Sequence, residues 1–167
     1  MLAVSALAGV IGGWLWERAW TAPTGVAYQH QFVLVGSGPG DDFSGTGVYA
    51  LLGIPIGLLL GLAVALIVRG HEWATLTALV IGSLLAAWLM ASVGHRLGPP
   101  DPQLLAARAD DLTKLTQQLR VNGSSAYLAL PAGGLAGLCA GYLLLFAFQR
   151  LREASGPSTR LGDETMQ

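Results

Sequence analysis

Three histidines and one cysteine are the side chains of this chain best suited to acid–base or nucleophilic chemistry. His30, His71 and His95 fall in separate segments, and Cys139 has no base beside it. Catalysis needs a nucleophile next to a base, paired carboxylates, or metal ligands within reach of one another. Because none of these arrangements has a recognisable spacing here, we predict no catalytic site, no metal site and no cofactor.

The acidic pair Asp41-Asp42 offers two carboxylates to a cation. Calcium sites draw on several oxygen ligands at defined spacing, which this pair lacks. We favour a structural role at the start of the following helix, where acidic groups meet the positive end of the dipole and Ser44 or Thr46 is the N-cap. A cation site is the alternative.

His30 and His95 could lie on the same outer face of the protein, with His95 next to Arg96 at a predicted helix end. A helix C-terminus favours a cationic side chain, so we interpret His95 as a partner of the helix dipole. An outward-facing membrane enzyme that uses these histidines and the aspartates is kept as a minor alternative.

Composition places these side chains in a membrane protein. The chain is 53% hydrophobic and 11% charged, with a mean hydropathy of +0.55, which a soluble domain of this size does not leave solvated. The net charge of −1 and the lack of a basic block argue against nucleic acid as a partner. A single cysteine excludes a disulfide framework within the chain.

Four apolar runs are each long enough to cross a hydrocarbon core as helix. A cleavable signal peptide is the alternative for the first run, although it lacks a positive n-region and ends among tryptophans. Because this run begins at Met1 itself, we also keep open that a short segment precedes it. The predicted spans cover residues 1–19, 47–68, 73–95 and 126–148, with 47–68 and 73–95 forming a transmembrane hairpin.

The loops between these spans carry weaker signals. Val26 to Val35 is rich in β-branched and aromatic residues, which predicts a strand or a hairpin. Asp101-Pro102 is typical of a helix start, and leucines at helical spacing predict an amphipathic helix over residues 102–119. Leu119 to Val121 could be a strand that pairs with the first loop, or an extension of that helix.

We therefore predict an all-α membrane protein, in which a four-helix transmembrane bundle carries a small extracytoplasmic β-element and a short amphipathic helix. Residues 1–149 form the transmembrane domain, with outer loops at 20–46 and 96–125. Residues 150–167 form a disordered cytoplasmic tail, because they are polar and rich in Gly, Ser, Thr and Glu.

Small residues recur at four-residue spacing in all four predicted spans. Such a stripe, a glycine zipper, lines one face of a helix with hydrogens and lets a neighbouring backbone approach closely. The predicted packing positions are Gly9, Gly13, Gly53, Gly57, Gly61, Gly82, Gly133, Gly137 and Gly141.

Three further sequence features resemble those of a known family. They are the segment Asp42 to Tyr49, the break from Gly94 to Pro102, and the pair Leu130-Pro131 followed by Gly133-Gly134. On them the chain resembles a family of small four-span membrane proteins of unknown function from high-GC actinobacteria. The resemblance implies a four-span plasma-membrane protein with outward loops and supplies no catalytic residues. The first loop also resembles claudin-like proteins in architecture alone.

Function and orientation follow from what the spans contain. Their cores lack ionisable side chains, which disfavours a proton-coupled transporter. The count of cations is nearly balanced between the two sides, with four on the predicted inner side and four in the second outer loop: Arg69, Arg150, Arg152 and Arg160 against Arg96, Arg108, Lys114 and Arg120. The first loop from Thr21 to Ser44 has no lysine or arginine, which favours a multi-pass plasma-membrane protein with both termini in the cytoplasm. We predict a non-enzymatic accessory or scaffold subunit of a larger cell-envelope complex; the alternative is a small oligomeric channel or transporter for a lipid or apolar solute. Predicted partners are membrane lipids and a membrane protein or a second copy, contacted through Tyr28, His30, Gln31 and Phe32.

Overall fold

The computed structural model describes residues 2–35, 44–68 and 72–154, and most of them are helical. Four long helices are joined by a small sheet and two short helical segments. In chain order the elements are α1 (Leu2–Ala19), β1 (Thr24–Tyr28), β2 (Gln31–Leu34), α2 (Ser44–Ile67), α3 (Glu72–Leu97), α4 (Pro102–Ala106), β3 (Lys114–Thr116), a 3₁₀ turn (Ser124–Leu128) and α5 (Ala129–Ala154).

Three of the described helical segments are long and apolar enough to cross a membrane: those containing α2, α3 and α5. The predicted spans 47–68, 73–95 and 126–148 overlap these three helices, and they differ most from the structure at the end of α5. α1 is not among them, because its 18 residues include Glu17 and Arg18 near its end. The span at residues 1–19 therefore stays a prediction. α5 continues to Ala154, so the first residues of the predicted tail are helical, and the rest of that tail lies outside the described residues.

The long helices pack chiefly as two pairs, α1 with α3 and α2 with α5. Both pairs are parallel, since residues facing each other advance together: Gly9 faces Ala86, and Gly13 faces Met90. α2 and α3, predicted as a transmembrane hairpin, contact each other much less. Close packing is decided by complementary small-residue faces rather than by proximity in the chain.

Small residues make the α2–α5 contact possible. A Cβ atom on Gly57 would overlap the carbonyl oxygen of Leu130, and one on Gly61 would overlap that of Gly134. The reverse holds for α5, where a Cβ on Gly137 would overlap the carbonyl of Leu58. The two backbones touch directly along this seam, which maximises dispersion contacts between the helices.

The sheet and α4 lie where α1 and α3 end and α2 and α5 begin. We call this part, residues 20–35 and 98–123, the cap. The strands run in the order β2-β1-β3, all antiparallel. β1 and β2 form a hairpin whose two-residue turn, Gln29-His30, has positive φ at both positions, as in a type I′ turn. The hairpin predicted within Val26 to Val35 is confirmed.

Two predictions for the second loop are wrong. The amphipathic helix is only the five residues of α4, with Asp101 as its N-cap. Part of the remaining predicted helix forms β3, which pairs with β1, so sheet pairing overrides the helical leucine pattern. Leu119 to Val121 forms no strand; instead the Leu119 side chain is fully buried among the helices.

Local hydrogen bonds shape the turn between α4 and β3. The carbonyl of Asp110 accepts bonds from both the backbone nitrogen and the hydroxyl of Thr113, and Leu112 has a φ of 70°. Such side-chain bonds compete with helix continuation. The chain therefore turns back between α4 and β3 and brings β3 beside β1.

The main core lies beneath the cap and contains large, fully buried side chains. A smaller cluster around Val64, Leu79 and Leu138 lies toward the other end of the bundle. The largest fully buried side chains of the main core are Trp16, Tyr49, Met90, Leu119 and Leu130.

Candidate functional site

The cap has two faces that differ in exposure. Cross-strand pairing places Tyr28 beside Gln31, and Val26 beside both Val33 and Lys114, on one face. We call this the outer face of the sheet. Tyr28 is 52% exposed and Val33 is 45% exposed. An aromatic and an aliphatic side chain thus stand in solvent, framed by polar neighbours.

The opposite, inner face is the more buried one. It carries Gly25 and Ala27, which are buried, and Phe32, which is half-buried. α4 packs against all three strands and covers this face. A Cβ on Gly25 would crowd the Phe32 ring, so glycine is required for this close approach.

The four residues predicted as a partner surface are therefore divided between the two faces. Tyr28 and Gln31 lie on the outer face, and His30 is exposed in the hairpin turn. Phe32 lies on the inner face, because alternation along β2 turns it the other way. The structure brings together the first three residues and separates the fourth.

Side chains of the second loop hold the hairpin in place. The backbone nitrogen of Gln29 donates to Asp111 Oδ1 at 2.9 Å, and that of Phe32 donates to Gln103 Oε1 at 3.3 Å. The sequence did not indicate these contacts, because they join positions that are distant along the chain. They fix the hairpin to the loop that carries α4 and β3.

Buried aromatic side chains beneath the cap tie the long helices together. Trp16 Nε1 donates to the Gly45 carbonyl at 2.7 Å, and Trp20 Nε1 donates to Ser44 Oγ at 3.1 Å. The Tyr49 hydroxyl donates to the Ala87 carbonyl at 2.8 Å, and its ring meets that of Trp16 edge to face. These bonds satisfy the polar atoms of large buried rings and tie α1, α2 and α3 together.

The predicted packing glycines lie at helix contacts. Gly53 faces Leu130 at ordinary van der Waals distance, whereas the others leave no free space for a Cβ. The contacts of those not yet described are Gly82 with Ser5, Gly133 with Ile54, and Gly141 with Ala65. Gly94, which no spacing rule indicated, lies directly against the Trp16 ring.

The potentially reactive side chains that the structure describes lie in different parts of the fold. His95 is bonded to Leu119 at the end of α3, His30 is in the hairpin turn, and Cys139 is exposed on α5. Within the described ranges, no three His, Cys, Asp or Glu residues are grouped closely enough to hold a metal ion. Asp41, Asp42 and His71 lie outside the described residues.

Two clefts flank the cap. The larger, of about 530 Å³, is lined by one edge of the hairpin, the start of α4 and the amides Gln103, Gln117 and Gln118. The smaller, of about 290 Å³, lies beside the end of α3 and is here called the interface pocket. It is lined by Trp16, Trp88, Ala91, Ser92, His95, Arg120, Val121 and Tyr127.

Comparison with protein-family models, with curated proteins and with solved structures found no match. The chemical character of the site therefore rests on its own residues. They offer an exposed sheet face and a pocket of hydrogen-bond donors, both positioned at one end of an apolar helical bundle.

Proposed function

We propose that this protein is a non-enzymatic integral membrane protein of the plasma membrane that serves as an accessory or scaffold subunit of a larger cell-envelope complex. The bundle is inserted in the bilayer, and the outer face of the sheet contacts the extracytoplasmic part of a membrane-protein partner. The observation that carries this proposal is the exposed outer face, held rigidly on an apolar bundle.

The distribution of side chains supports insertion. Small residues, among them Gly57, Gly61 and Gly137, lie in the helix contacts, while many large apolar side chains are exposed on the outside of the bundle. A soluble protein has the reverse arrangement, and a contiguous apolar surface of this kind needs lipid around it. Exposed large apolar residues on α2, α3 and α5 include Leu51, Leu59, Trp73, Trp88, Leu143 and Phe148.

We extend the proposal to α1 as a fourth span, because it packs along α3 for most of its length. Four spans place the cap and both chain ends on opposite sides of the bilayer. With no Lys or Arg from Thr21 to Ser44, the cap is the extracytoplasmic side and the termini are cytoplasmic. Membership in the actinobacterial family named above belongs to the same proposal.

The chemistry of the outer face supports a protein partner. Tyrosine is enriched in protein interfaces, since its ring supplies contact area and its hydroxyl a hydrogen bond. Here Tyr28 stands beside Gln31, and Val26 and Val33 provide apolar area next to it. The turn and the bonds to Gln103 and Asp111 hold this surface in one conformation, which lowers the entropic cost of binding.

A photo-crosslinking amino acid placed at Tyr28 in the native host tests the partner. We expect one reproducible membrane-protein adduct from position 28. The matched control is the same probe at Leu104, which is exposed on α4 and away from the outer face. Tyr28→Ala should reduce recovery of that adduct's partner and leave the thermal stability of the bundle unchanged.

Absence of any adduct at position 28, with the protein isolated from native membranes as a solitary monomer, would contradict the scaffold proposal. The alternative of a channel through a single copy is disfavoured by the filled centre. Trp16, Tyr49, Met90 and Leu130 are fully buried there. Liposome flux measurements distinguish a passage formed between copies.

A further inference from the structure

The lining of the interface pocket shares no residue with the outer face of the sheet, and three of its polar side chains have one property in common. Arg120, Ser92 and Tyr127 can all donate hydrogen bonds. No carboxylate is present in the lining formed by the described residues, and none of those residues forms an ion pair with Arg120. The pocket is therefore suited to a ligand that accepts hydrogen bonds and carries negative charge.

A hydrogen bond from His95 holds the segment that carries Arg120 against the end of α3. Its Nδ1 lies 3.0 Å from the carbonyl oxygen of Leu119. A carbonyl oxygen only accepts, so Nδ1 carries the hydrogen and Nε2 has no partner in this bond. The same bond, together with the fully buried Leu119 side chain, places the adjacent Arg120 between this pocket and the larger cleft, both of which it lines.

An apolar stripe leads along α3 to these polar groups. Ile81, Leu84, Trp88, Ser92 and His95 recur at spacings of three, four and seven residues, which places them on one helix face. Ile81 is 55% exposed and Trp88 is 59% exposed. This face changes from apolar to polar toward the end of the helix, as a phospholipid does from its acyl chain to its phosphate.

We propose that the interface pocket binds the phosphate of an anionic membrane phospholipid. Arg120 donates to the phosphate oxygens, the Ser92 and Tyr127 hydroxyls complete the donor set, and an acyl chain follows Ile81, Leu84 and Trp88. The inference rests on the membrane insertion proposed above. Arginine fits phosphate through two parallel charge-assisted bonds, which makes it suited to an anionic headgroup.

The test is native mass spectrometry of the full chain in mild detergent, titrated with phosphatidylglycerol or with phosphatidylcholine of identical acyl chains. The wild-type chain should bind phosphatidylglycerol more tightly. Arg120→Gln should weaken that binding about tenfold, the effect of losing a charge-assisted bond. It should weaken the binding of phosphatidylcholine less, because the choline cation of that lipid offsets the charge of its phosphate.

Arg96→Gln is the matched control. Arg96 follows His95 directly, so it lies at the same membrane depth, but it does not line the pocket. If anionic lipid were held only by the general charge of this end of the bundle, Arg96→Gln and Arg120→Gln would weaken binding equally. That result would overturn the proposal. Circular dichroism and the thermal transition of each variant establish that the fold is retained.

A large excess of inorganic phosphate identifies the source of the phosphate group. Failure to displace phosphatidylglycerol supports a lipid, whereas displacement reassigns the pocket to a soluble phosphate and overturns the lipid proposal. Alkaline carbonate extraction tests the proposed membrane insertion separately from the lipid-binding pocket. Release of the protein from membranes would contradict insertion, while retention without lipid preference would contradict the pocket alone.

Discussion

Gly47 and Gly57 lie on the same helix in opposite surroundings. Apart from the neighbouring residues and backbone of its own helix, no atom lies within 4 Å of the position that a Cβ on Gly47 would occupy, whereas a Cβ on Gly57 would overlap the backbone of Leu130. Gly57→Ala should therefore lower the stability of the bundle by about 1 to 3 kcal/mol, the usual cost of overpacking. Gly47→Ala should be neutral or slightly stabilising, because alanine favours helix.

Thermal unfolding in detergent measures this difference. Gly57→Leu should lower the transition temperature more than Gly57→Ala does. Leu59→Ala provides a second comparison, because Leu59 is exposed on the surface assigned to lipid. Equal transition temperatures for Gly47→Ala and Gly57→Ala would mean that the α2–α5 seam is not packed as described.

Tyr49 carries a hydroxyl deep in the main core, where it donates to the Ala87 carbonyl. Tyr49→Phe removes this bond without removing the ring, and should cost about 0.5 to 1.5 kcal/mol in unfolding free energy. Tyr142→Phe is the control, since Tyr142 is exposed on α5. Denaturant titration in mixed micelles measures the unfolding free energy of both variants. Equal losses for Tyr49→Phe and Tyr142→Phe would contradict a stabilising bond from Tyr49 to Ala87.

At the scale of elements, the position of β3 is open to a direct test. Val26 and Lys114 face each other, and the flanking backbone bonds Ala27 to Thr113 and Gln117 to Pro23 make them a non-hydrogen-bonded pair. Such pairs bring Cα atoms within disulfide range. Val26→Cys with Lys114→Cys, on a Cys139→Ala background, should form a disulfide on mild oxidation.

The control pair for this experiment is Val26→Cys with Arg120→Cys, which tests the strand that was one of the two sequence predictions for residues 119–121. A shift in electrophoretic mobility that thiol reductant reverses reports the bond. Bond formation by the control pair and not by the first would return the third strand to residues 119–121.

Local signals predicted part of this architecture and failed where distant residues meet. The apolar runs predicted α2, α3 and α5, and Asp101-Pro102 predicted the start of α4, because each signal lies within its own element. β3 was missed because its pairing with β1 depends on contacts across the whole chain. Small-residue stripes on four helices look alike, so they did not indicate that α2 pairs with α5.

The interface pocket shows the same limit. Trp88, Ser92 and His95 share one helix face, a spacing visible in the sequence. Arg120 joins them only because Leu119 is buried and accepts a bond from His95. No local pattern predicts that meeting, so the donor set could be recognised only from the folded chain.

For the whole molecule, the proposed orientation places the 3₁₀ turn outside the cell and the end of α5 inside it. On a Cys139→Ala background, Ser124→Cys should react with an impermeant thiol reagent applied to intact cells, and Arg152→Cys should react only after lysis. Both residues are exposed, so access is decided by the membrane. Labelling of Arg152→Cys alone in intact cells would invert the orientation.

The parallel pairing of the helices also has a consequence for biosynthesis. A chain is made from its N-terminus, and α2 is complete well before α5, with α3 and most of the cap translated in between. Throughout that interval the glycine face of α2 has no α5 to receive it and is open to lipid or to another nascent chain. The α2–α5 contact can therefore form only after most of the chain has been translated. A truncated product that ends before Ala129 leaves the glycine face of α2 uncovered.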